Sequence, residues 1–426
     1  MENYEKQNNN IKYDLVVIGG GPSGMMMAGR AAELGARVLL IERNKKLGEK
    51  LKMTGGGRCN ITNAEFNNKK FLENFPKAKN FLYSPFSKFS VKDTFTFFEK
   101  YNLPLVTEAR NRVFPKSQEA YDVFIALEKY LEKGGVEVKT RTRVVSIKKE
   151  DEKIVSITTK KGEEIFARNF AIATGGLAAP ETGSTGDGFR FLKKLDHSVK
   201  EPNPNVVPLT TNATWVHRLS GNTLSFMKIK FTQRGKIKIK KIGKILFTHF
   251  GVSGPLILNT SYEVTQLLKK GKVTASIDIF PDTEENILNK RILKLFEQNK
   301  NRKLRNVLPE LIPEKLSKEI LNMPDMDMND LTINSITKED RKVLVKRLKN
   351  LSFPITGTLG FKKAVIVDGG IQLEEVDFKN MTSRNYPNLY LLGDVLDINR
   401  PSGGFSLQLC WTTGWVAGSD IGEKIN

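Results

Sequence analysis

The sequence has few of the residues that build disulfide frameworks or metal centres. Among its 426 residues are two cysteines, Cys59 and Cys410, and three histidines. Two cysteines so far apart supply neither a disulfide scaffold nor the ligand spacing of a zinc site, and there is no CxxC pair. We therefore expect a protein of a reducing compartment that holds no metal and does not carry out disulfide reduction.

Long apolar runs are also missing. No stretch approaches the roughly 20 apolar residues of a membrane helix, and the first ten residues, MENYEKQNNN, are polar and contain no secretory apolar region. Hydrophobic residues make up 39% and charged residues 27%, as in globular proteins. We expect a cytoplasmic protein of two or three domains that does not enter a membrane; the sequence is silent on oligomeric state.

Acidic residues are absent from one long segment. The chain carries 68 Lys and Arg against 47 Asp and Glu, yet Pro202 to Tyr262 contain no acid at all. This segment also alternates like a strand or hairpin with one lysine face. Such a face favours a polyanion such as RNA, although a solvated strand in a Lys-rich and Asn-rich protein remains the alternative. The predicted RNA-binding residues are Lys228, Lys230, Arg234, Lys236, Lys238, Lys240, Lys241 and Lys244.

The first 42 residues present a nucleotide-binding pattern. Gly19, Gly21 and Gly24 form a GxGxxG motif between an apolar strand and a helix, and Glu42 ends the next strand. The glycines allow a tight turn and close approach of a pyrophosphate to the helix N-terminus, while the glutamate accepts from ribose hydroxyls. Glu42 would repel a 2′-phosphate, so FAD or NAD is favoured over NADP; a merely structural turn is the alternative.

A second glycine-rich element lies near the other end of the chain. Gly393 and Asp394 follow a strand, and Gly403 and Gly404 open a helix. This order would place a carboxylate near a ribitol and a helix N-terminus at the pyrimidine edge of a flavin, where about half a positive charge stabilises the reduced ring. Between the two elements, helix 121–133 and the β-rich runs 136–147, 154–159 and 164–174 indicate a small meander, and 196–355 reads as an inserted unit of strands and short helices.

Several motifs together resemble the HI0933-like (YhiN/BaiN-type) flavoproteins. They are GGGPSG, TGGGRCNITN at 54–63, ATGG at 173–176, TGSTGDG at 182–188, FTHFGVSGP at 247–255 and LLGDVLDINRPSGGFSLQ at 391–408. The resemblance implies an α/β fold with a discontinuous Rossmann-like FAD-binding domain, interrupted by a β-barrel and a helical subdomain. The expected domains are 1–195 (FAD, first part), 196–281 (barrel), 282–355 (helical subdomain and return strand) and 356–426 (FAD, second part).

The resemblance also assigns cofactor contacts, residue by residue. It implies that the ADP half of FAD meets the βαβ turn and that the ribitol and flavin ring meet the C-terminal motif. The cofactor-binding residues that it implies are Gly19, Gly21, Ser23, Gly24, Glu42, Arg43, Gly56, Gly57, Asn60, Val144, Thr174, Gly175, Asp394, Gly404 and Phe405. No second nucleotide motif is present, so NADH or NADPH is expected to bind only transiently as the reductant.

The family resemblance leaves three classes of function. It implies reduction of an activated carbon–carbon double bond, either in an enone or in uridine of large-subunit (23S) ribosomal RNA, and the acid-free basic strand favours the RNA. Hydride would then be delivered to uracil C6 and a proton to C5. The uracil would have to leave its stack to react. A small-molecule enone (bile-acid-type) reductase or amine oxidase is the second class, and a ribosome-associated factor that keeps FAD as a structural element is the third.

Four residues are candidates for catalysis. Cys59, beside Arg58 in a glycine-rich loop, is a candidate acid, and His249 is the alternative acid or a substrate ligand. Arg58 and Arg400 are candidates to bind a phosphate or polarise a uracil carbonyl. Each has a plain alternative: a small packed residue for Cys59, a hydrogen-bonded structural histidine for His249, and ion pairing within the fold for the arginines. Cys410 is expected to pack in the core.

Overall fold

The chain folds into two compact units, seen in a computed structural model that describes residues 11–324 and 328–425. The first unit is Met1–Pro204 together with Phe361–Asn426, and the second is Asn205–Gly360. Within the described residues, no helix is long and apolar enough to cross a membrane, and no cluster of three or more His, Cys, Asp or Glu side chains is arranged to hold a metal ion.

The helices follow the sequence pattern closely where amphipathic periodicity is strong. In chain order they are α1 (Pro22–Glu33), α2 (Glu49–Met53), α3 (Asn68–Leu72), α4 (Lys79–Lys88), α5 (Val91–Lys100), α6 (Ala120–Lys133), α7 (Asp187–Lys194), α8 (Thr214–Arg218), α9 (Pro255–Leu268), α10 (Glu285–Gln298), α11 (Leu304–Val307), α12 (Glu314–Leu321), α13 (Lys338–Lys349) and α14 (Phe405–Ile425).

The strands are short in the first unit and longer in the second. In chain order they are β1 (Tyr13–Ile18), β2 (Val38–Ile41), β3 (Thr62–Asn63), β4 (Leu105–Glu108), β5 (Arg112–Pro115), β6 (Glu137–Lys139), β7 (Val144–Glu150), β8 (Lys153–Thr159), β9 (Glu164–Ile172), β10 (Val199–Asn205), β11 (Leu209–Thr210), β12 (Thr223–Gln233), β13 (Lys236–Thr248), β14 (Gly251–Ser253), β15 (Val273–Asp278), β16 (Leu351–Ile355), β17 (Gly357–Thr358), β18 (Ile366–Ile371) and β19 (Leu389–Leu391).

A parallel sheet with the order β6-β2-β1-β9-β19 forms the centre of the first unit. The βαβ prediction is confirmed, because β1 and β2 pair in parallel across α1. Each residue of β1 is buried, and alternate residues pack into different layers: Leu15 and Val17 lie with α1, whereas Val16 and Ile18 lie on the opposite side. The continuous apolar run thus reflects burial on both faces.

Strand β9 serves two sheets at once. Its C-terminal half pairs in parallel with β1 and β19, and its N-terminal half pairs antiparallel with β8, which pairs with β7. The predicted meander is therefore confirmed for β7, β8 and β9, but its first run, 136–147, was wrong as a single strand, because residues 137–139 form β6 and pair in parallel with β2. The C-terminal helix α14 packs against α1 with Trp411 buried in the same layer, so the ends of the chain build one core.

The second unit is a sheet with helices around its own core. The strand order is β16-β15-β12-β13-β14-β11-β17, and one residue, Thr356, separates the two outermost strands in the chain. The sheet must therefore curl until its edges come close together. The sequence placed the inserted unit at 196–355, whereas the compact unit runs from Asn205 to Gly360, because β10 pairs with β18 and keeps residues 199–204 in the first unit.

Candidate functional site

The turn after β1 packs so closely that two of its glycines have no room for a side chain. A Cβ on Gly24 would lie 2.0 Å from the Gly19 carbonyl oxygen, and a Cβ on Gly19, whose φ is +113°, would lie 2.5 Å from the Ala173 oxygen. At Gly21 the corresponding position has no atom within 4 Å. The turn is thus tight on its inner side and open beside the start of α1, which lets a ligand approach the backbone.

Helix α1 begins at this turn without a side-chain cap. Gly21 is the N-cap residue and Pro22 the first helical residue, so N–H groups of the first turn have no capping side chain. Such a helix end attracts anions through its free donors and its dipole. The turn therefore has the geometry of a phosphate-binding site.

Glu42 is held in place by two backbone donors. Its Oε2 accepts from the Gly20 amide at 2.8 Å and its Oε1 accepts from the Asn44 amide at 2.7 Å. Burial raises the pKa of this carboxyl, although the two amide bonds act in the opposite direction. The side chain lines the cleft beside the turn, where a ribose would meet a fixed acceptor.

An open cleft in the first unit connects these elements. The space between its lining residues is about 1150 Å³, a value that includes open solvent at the mouth. The cofactor residues predicted from the sequence that line it are Gly19, Gly21, Ser23, Glu42, Arg43, Val144, Thr174, Gly175 and Asp394. Residues from five separate segments of the sequence therefore meet at one site.

Asp394 is a second carboxylate in the cleft lining. Arg400, 3% exposed, is ion-paired with it through Nη2, and the Lys50 ammonium lies 3.5 Å from its Oδ2. Burial would raise the pKa of Asp394, but the charges of Arg400 and Lys50 hold it below the ordinary value. Arg400 also donates to the Ser406 hydroxyl at 3.0 Å and to the Ile398 carbonyl at 2.7 Å. These contacts match the ion-pair interpretation of Arg400.

Lys50 was not identified from the sequence. Its Nζ is buried and forms no hydrogen bond within the described residues, and its side chain lines the cleft. A buried ammonium without a hydrogen-bond partner is unfavourable unless a ligand provides one. No sequence motif marks this lysine of the short helix α2, and the structure alone connects it to the site, through the cleft lining and the contact with Asp394.

The start of α14 approaches the cleft differently from the prediction. A Cβ on Gly404, whose φ is +100°, would lie 2.2 Å from the Thr62 backbone, so glycine is required there by packing. The Phe405 ring packs against Phe71 and Phe75, at 5.0 and 6.0 Å between ring centroids. The residues of this helix that line the cleft are Ser406, Leu407 and Cys410. Contacts of Gly404 and Phe405 with the cofactor stay predictions.

The glycine-rich loop at 54–60 contributes Thr54 to the cleft lining. Gly56, Gly57 and Asn60 are outside that lining, and the Asn60 side chain accepts from the Val113 amide at 3.3 Å. Arg58 pairs with Glu108 at 2.9 Å and lies 4.0 Å above the Phe114 ring. The loop thus joins the neighbouring sheet of β3, β5 and β4.

The positions of the two thiols relative to the cleft are the reverse of those that the sequence predicted. Cys59 is fully buried and absent from the cleft lining, whereas Cys410, expected to pack in the core, is buried but lines the cleft. Burial raises the pKa of each thiol to about 12. Burial and position argue against Cys59 as a proton donor and favour the packing role that the sequence left open.

A carboxylate surrounded by arginines also lines the cleft. Asp187, at the start of α7, accepts from Arg143 at 3.0 and 3.1 Å and contacts Arg43 and Arg190. Burial alone would raise the pKa of Asp187, but the Arg143 bonds and the three positive charges hold it below its usual value. This network fixes Arg43 and the strand that carries Val144, both predicted cofactor contacts.

The remaining predicted residues lie in the second unit. His249 is an exposed residue between β13 and β14, and its ring contacts Phe250. The lysines lie on β12 and β13, an antiparallel pair that turns at Arg234 and Gly235 and that we name the lysine hairpin (Thr223–Thr248). The predicted hairpin is therefore confirmed.

The lysines of this hairpin are not equivalent. Lys228 has a side chain that is 17% exposed, donates to the Pro281 carbonyl at 2.7 Å and lies near Asp278, so it serves the fold. Lys241 lies 3.6 Å from Glu263. Six other basic residues of the hairpin have no carboxylate within 4.0 Å in the described chain: Lys230, Arg234, Lys236, Lys238, Lys240 and Lys244.

The residues that line the cleft have the chemistry to bind FAD. The open side of Gly21, the uncapped start of α1 and the buried ammonium of Lys50 all fit a doubly charged dinucleotide. The residues that would hold it are those of the glycine turn, Glu42, Lys50 and Asp394.

Comparisons with known proteins agree with this site. The sequence model described as the HI0933-like protein Rossmann domain matches residues 13–420. The chain is 26% identical over 413 residues to the ribosomal RNA dihydrouridine synthase of Escherichia coli and 26% over 415 residues to that of Haemophilus influenzae. It is 27% identical over 413 residues to the 3-dehydro-bile acid delta(4,6)-reductase of Clostridium scindens. Each alignment covers 96% of this chain and 98% of the relative.

Solved flavoenzyme structures share the fold. The 3-ketosteroid-delta4-(5alpha)-dehydrogenase of Rhodococcus jostii superimposes with a TM-score of 0.54 at 16% identity, covering 97% of both chains. A flavocytochrome c3 fumarate reductase gives 0.51 at 13% identity, covering 99% of this chain and 80% of the other. At such identities the likeness concerns architecture, and it agrees with the Rossmann-type FAD-binding fold predicted from the sequence.

Proposed function

The chain belongs to the HI0933-like family, and we propose that it is an FAD oxidoreductase that reduces uridine to dihydrouridine in large-subunit ribosomal RNA. The names of two relatives in this comparison describe that reaction. NADH or NADPH is the proposed source of electrons. The first unit is proposed to bind FAD and the second, inserted unit to bind RNA.

The observation that carries the RNA substrate is the lysine hairpin. Its outer side presents lysines that have no carboxylate partner among the described residues, in a segment of 61 residues that contains no acid. Each phosphate that a lysine neutralises releases counterions and strengthens RNA binding. A steroid or amine substrate gains nothing from this surface, so the hairpin favours RNA over the bile-acid type of substrate that one relative's name describes.

The residues of the cleft have distinct tasks in this proposal. A bound FAD would supply the hydride. Glu42 would orient the adenosine ribose, the start of α1 would meet the pyrophosphate, and Lys50 and Arg400 would keep the Asp394 carboxylate ionised as a fixed acceptor. The proton donor to the substrate is proposed to be a group other than Cys59, whose thiol is fully buried and outside the cleft lining.

The decisive experiment is mass spectrometry of ribosomal RNA from cells that lack this gene. We expect one uridine in the large-subunit RNA to lose a two-hydrogen mass increment, and the increment to return with the wild-type gene. Complementation with Asp394→Ala should fail, while Asp151→Asn, on an exposed turn, should restore it.

A reaction with purified components separates the alternatives. Large-subunit RNA from the deletion strain, NADH or NADPH and the FAD-loaded protein should yield dihydrouridine. Oxidation of the nicotinamide stimulated by a steroidal enone but not by the RNA would favour a small-molecule reductase. RNA binding without any reduction after the flavin is photoreduced would favour a ribosome-associated factor.

A further inference from the structure

Phe226 projects from the lysine hairpin into solvent. Its side chain is 77% exposed, the highest value among the large apolar residues of the described chain. Single exposed apolar residues are ordinary on protein surfaces and carry no meaning by themselves. What distinguishes Phe226 is its backbone and its neighbours.

The backbone at Phe226 is in a conformation that phenylalanine rarely adopts. Its φ is +60°, and bulky residues with positive φ are outliers. The register changes from Leu224 opposite Ile245 to Met227 opposite Gly243, so Ser225 and Phe226 together lie opposite Lys244. A β-bulge of this kind re-aims a side chain, and backbone strain of this kind concentrates at functional positions.

The surroundings of Phe226 are basic and partly apolar. Lys244 lies opposite the bulge, Lys240 pairs with Lys230 further along the strands, and the exposed Ile242 pairs with Lys228. An aromatic ring beside Lys240 and Lys244, which have no carboxylate within 4.0 Å in the described part of the chain, complements a ligand that combines flat apolar faces with negative charges. A second copy of the chain would bring the same lysines and be repelled.

We infer that Phe226 is a stacking platform for an unpaired base of RNA, with Lys240 and Lys244 bound to the flanking phosphates. This inference rests on the proposed function and specifies the form in which the hairpin binds its substrate: as unpaired nucleotides with exposed base faces. Aromatic side chains stack on unpaired bases irrespective of sequence, whereas bases inside a duplex offer no free face.

Binding of a 20-nucleotide unstructured RNA that contains 2-aminopurine tests the inference, with the FAD-loaded full-length protein. Phe226→Ala should weaken binding on the order of 10-fold or more and remove the fluorescence quenching of 2-aminopurine, while Phe226→Trp should retain both. The dependence of affinity on salt should not change, because no charge is lost. Lys244→Gln should instead lower that slope by about 0.7.

Phe226→Gly separates stacking from folding. Glycine adopts a positive φ without strain, so this variant should melt no lower than the wild type while binding the RNA as weakly as Phe226→Ala. Tyr121→Ala, which removes a 54% exposed ring from the first unit, is the matched control and should leave affinity unchanged.

The inference and the proposed function fail in different ways. Unchanged RNA affinity of Phe226→Ala, or an equal loss in Tyr121→Ala, would overturn the stacking role while the wild type still binds RNA and still forms dihydrouridine. Loss of self-association in Phe226→Ala at constant RNA affinity would overturn it in favour of a contact between copies. If deletion of the gene left the ribosomal RNA unchanged in mass, the proposed function itself would fall.

Discussion

The ammonium of Lys50 lies 3.5 Å from the carboxylate of Asp394, two residues that are 344 positions apart in the sequence. The contact connects the segment after β2 with the segment after β19 at one cleft. Asp394 already has Arg400 as a partner, so one carboxylate faces two cations. Of these two cations, Lys50 has an ammonium that forms no hydrogen bond within the described residues and can therefore donate to a ligand.

Replacement of this lysine should weaken FAD binding. Lys50→Met removes a buried donor that we expect to bind an anionic part of the cofactor, and hydrogen bonds to charged groups contribute about 1.5–3 kcal/mol, or roughly 10- to 100-fold in affinity. Titration of the apoprotein with FAD, followed by flavin absorbance, measures this change. Lys52→Met is the matched control, because Lys52 pairs with Glu49 at 2.7 Å. Wild-type affinity in Lys50→Met would show that the cofactor does not use this ammonium.

The Asp187 network should make stability depend on acidic pH. Its pKa is depressed in the folded state, so its contribution is complete above the unfolded value near 3.8 and is lost as pH falls through the folded value. Asp187→Asn should therefore cost about 1.5–3 kcal/mol at pH 7 and progressively less below pH 4. Urea unfolding at pH 7, 5 and 3.5 measures the difference.

The control for this experiment is Asp151→Asn, which removes the same charge from an exposed turn. It should change stability little at any of these pH values. A difference between Asp187→Asn and wild type that stays constant from pH 7 to 3.5 would contradict a role for the ionised Asp187 carboxylate.

Both thiols should resist alkylation in the native protein. Burial raises the pKa of Cys59 and of Cys410 to about 12, so little thiolate exists at pH 8, and thiolate is the reactive form. Iodoacetamide labelling followed by mass spectrometry should show slow modification of both until urea unfolds the chain. Because Cys410 lines the cleft and Cys59 does not, FAD should slow the labelling of Cys410 alone. Rapid native labelling of Cys59 would contradict its buried position.

The sequence predicts the elements whose signals are local. The apolar run of β1, the glycine turn and the periodicity of α6 each follow from residues a few positions apart, and the helix predicted at 121–133 begins one residue earlier. No element was assigned to residues 64–119, where α3, α4, α5 and the strands β4 and β5 are short and their hydrophobic residues serve long-range contacts. The end of the first unit was misplaced because β10 is held by β18, a partner more than 160 residues away.

In the candidate site, too, the sequence predicts the residues that have a local signal and misses those that depend on tertiary packing. Glycines at Gly19 and Gly24 can be predicted because the βαβ turn imposes them, and the acid at Glu42 follows from its place after β2. Lys50 and Cys410 carry no local signal, since only tertiary packing brings them to the cleft lining. Phe405 is the opposite case: its motif predicts a contact with the cofactor, whereas its ring packs in the core against Phe71.

The salt dependence of RNA binding should identify the lysines that contact phosphates. In the variant with Lys236, Lys238 and Lys240 changed to Gln, affinity for an unstructured RNA should fall, and the slope of log K against log salt should decrease by about 2, or roughly 0.7 per contact. Lys228→Gln should lower the melting temperature instead, since that side chain is tied to Pro281 and Asp278. Filter binding at several salt concentrations measures the slopes.

Three other exposed lysines, Lys153, Lys160 and Lys161 in the meander of the first unit, provide a variant with the same loss of charge. Long-range attraction depends on net charge, so this control should reduce the rate of association modestly and leave the slope near the wild-type value. If the two triple variants reduced the slope equally, the positive charge would act as a diffuse property of the whole protein. The hairpin would then be an ordinary solvated pair of strands.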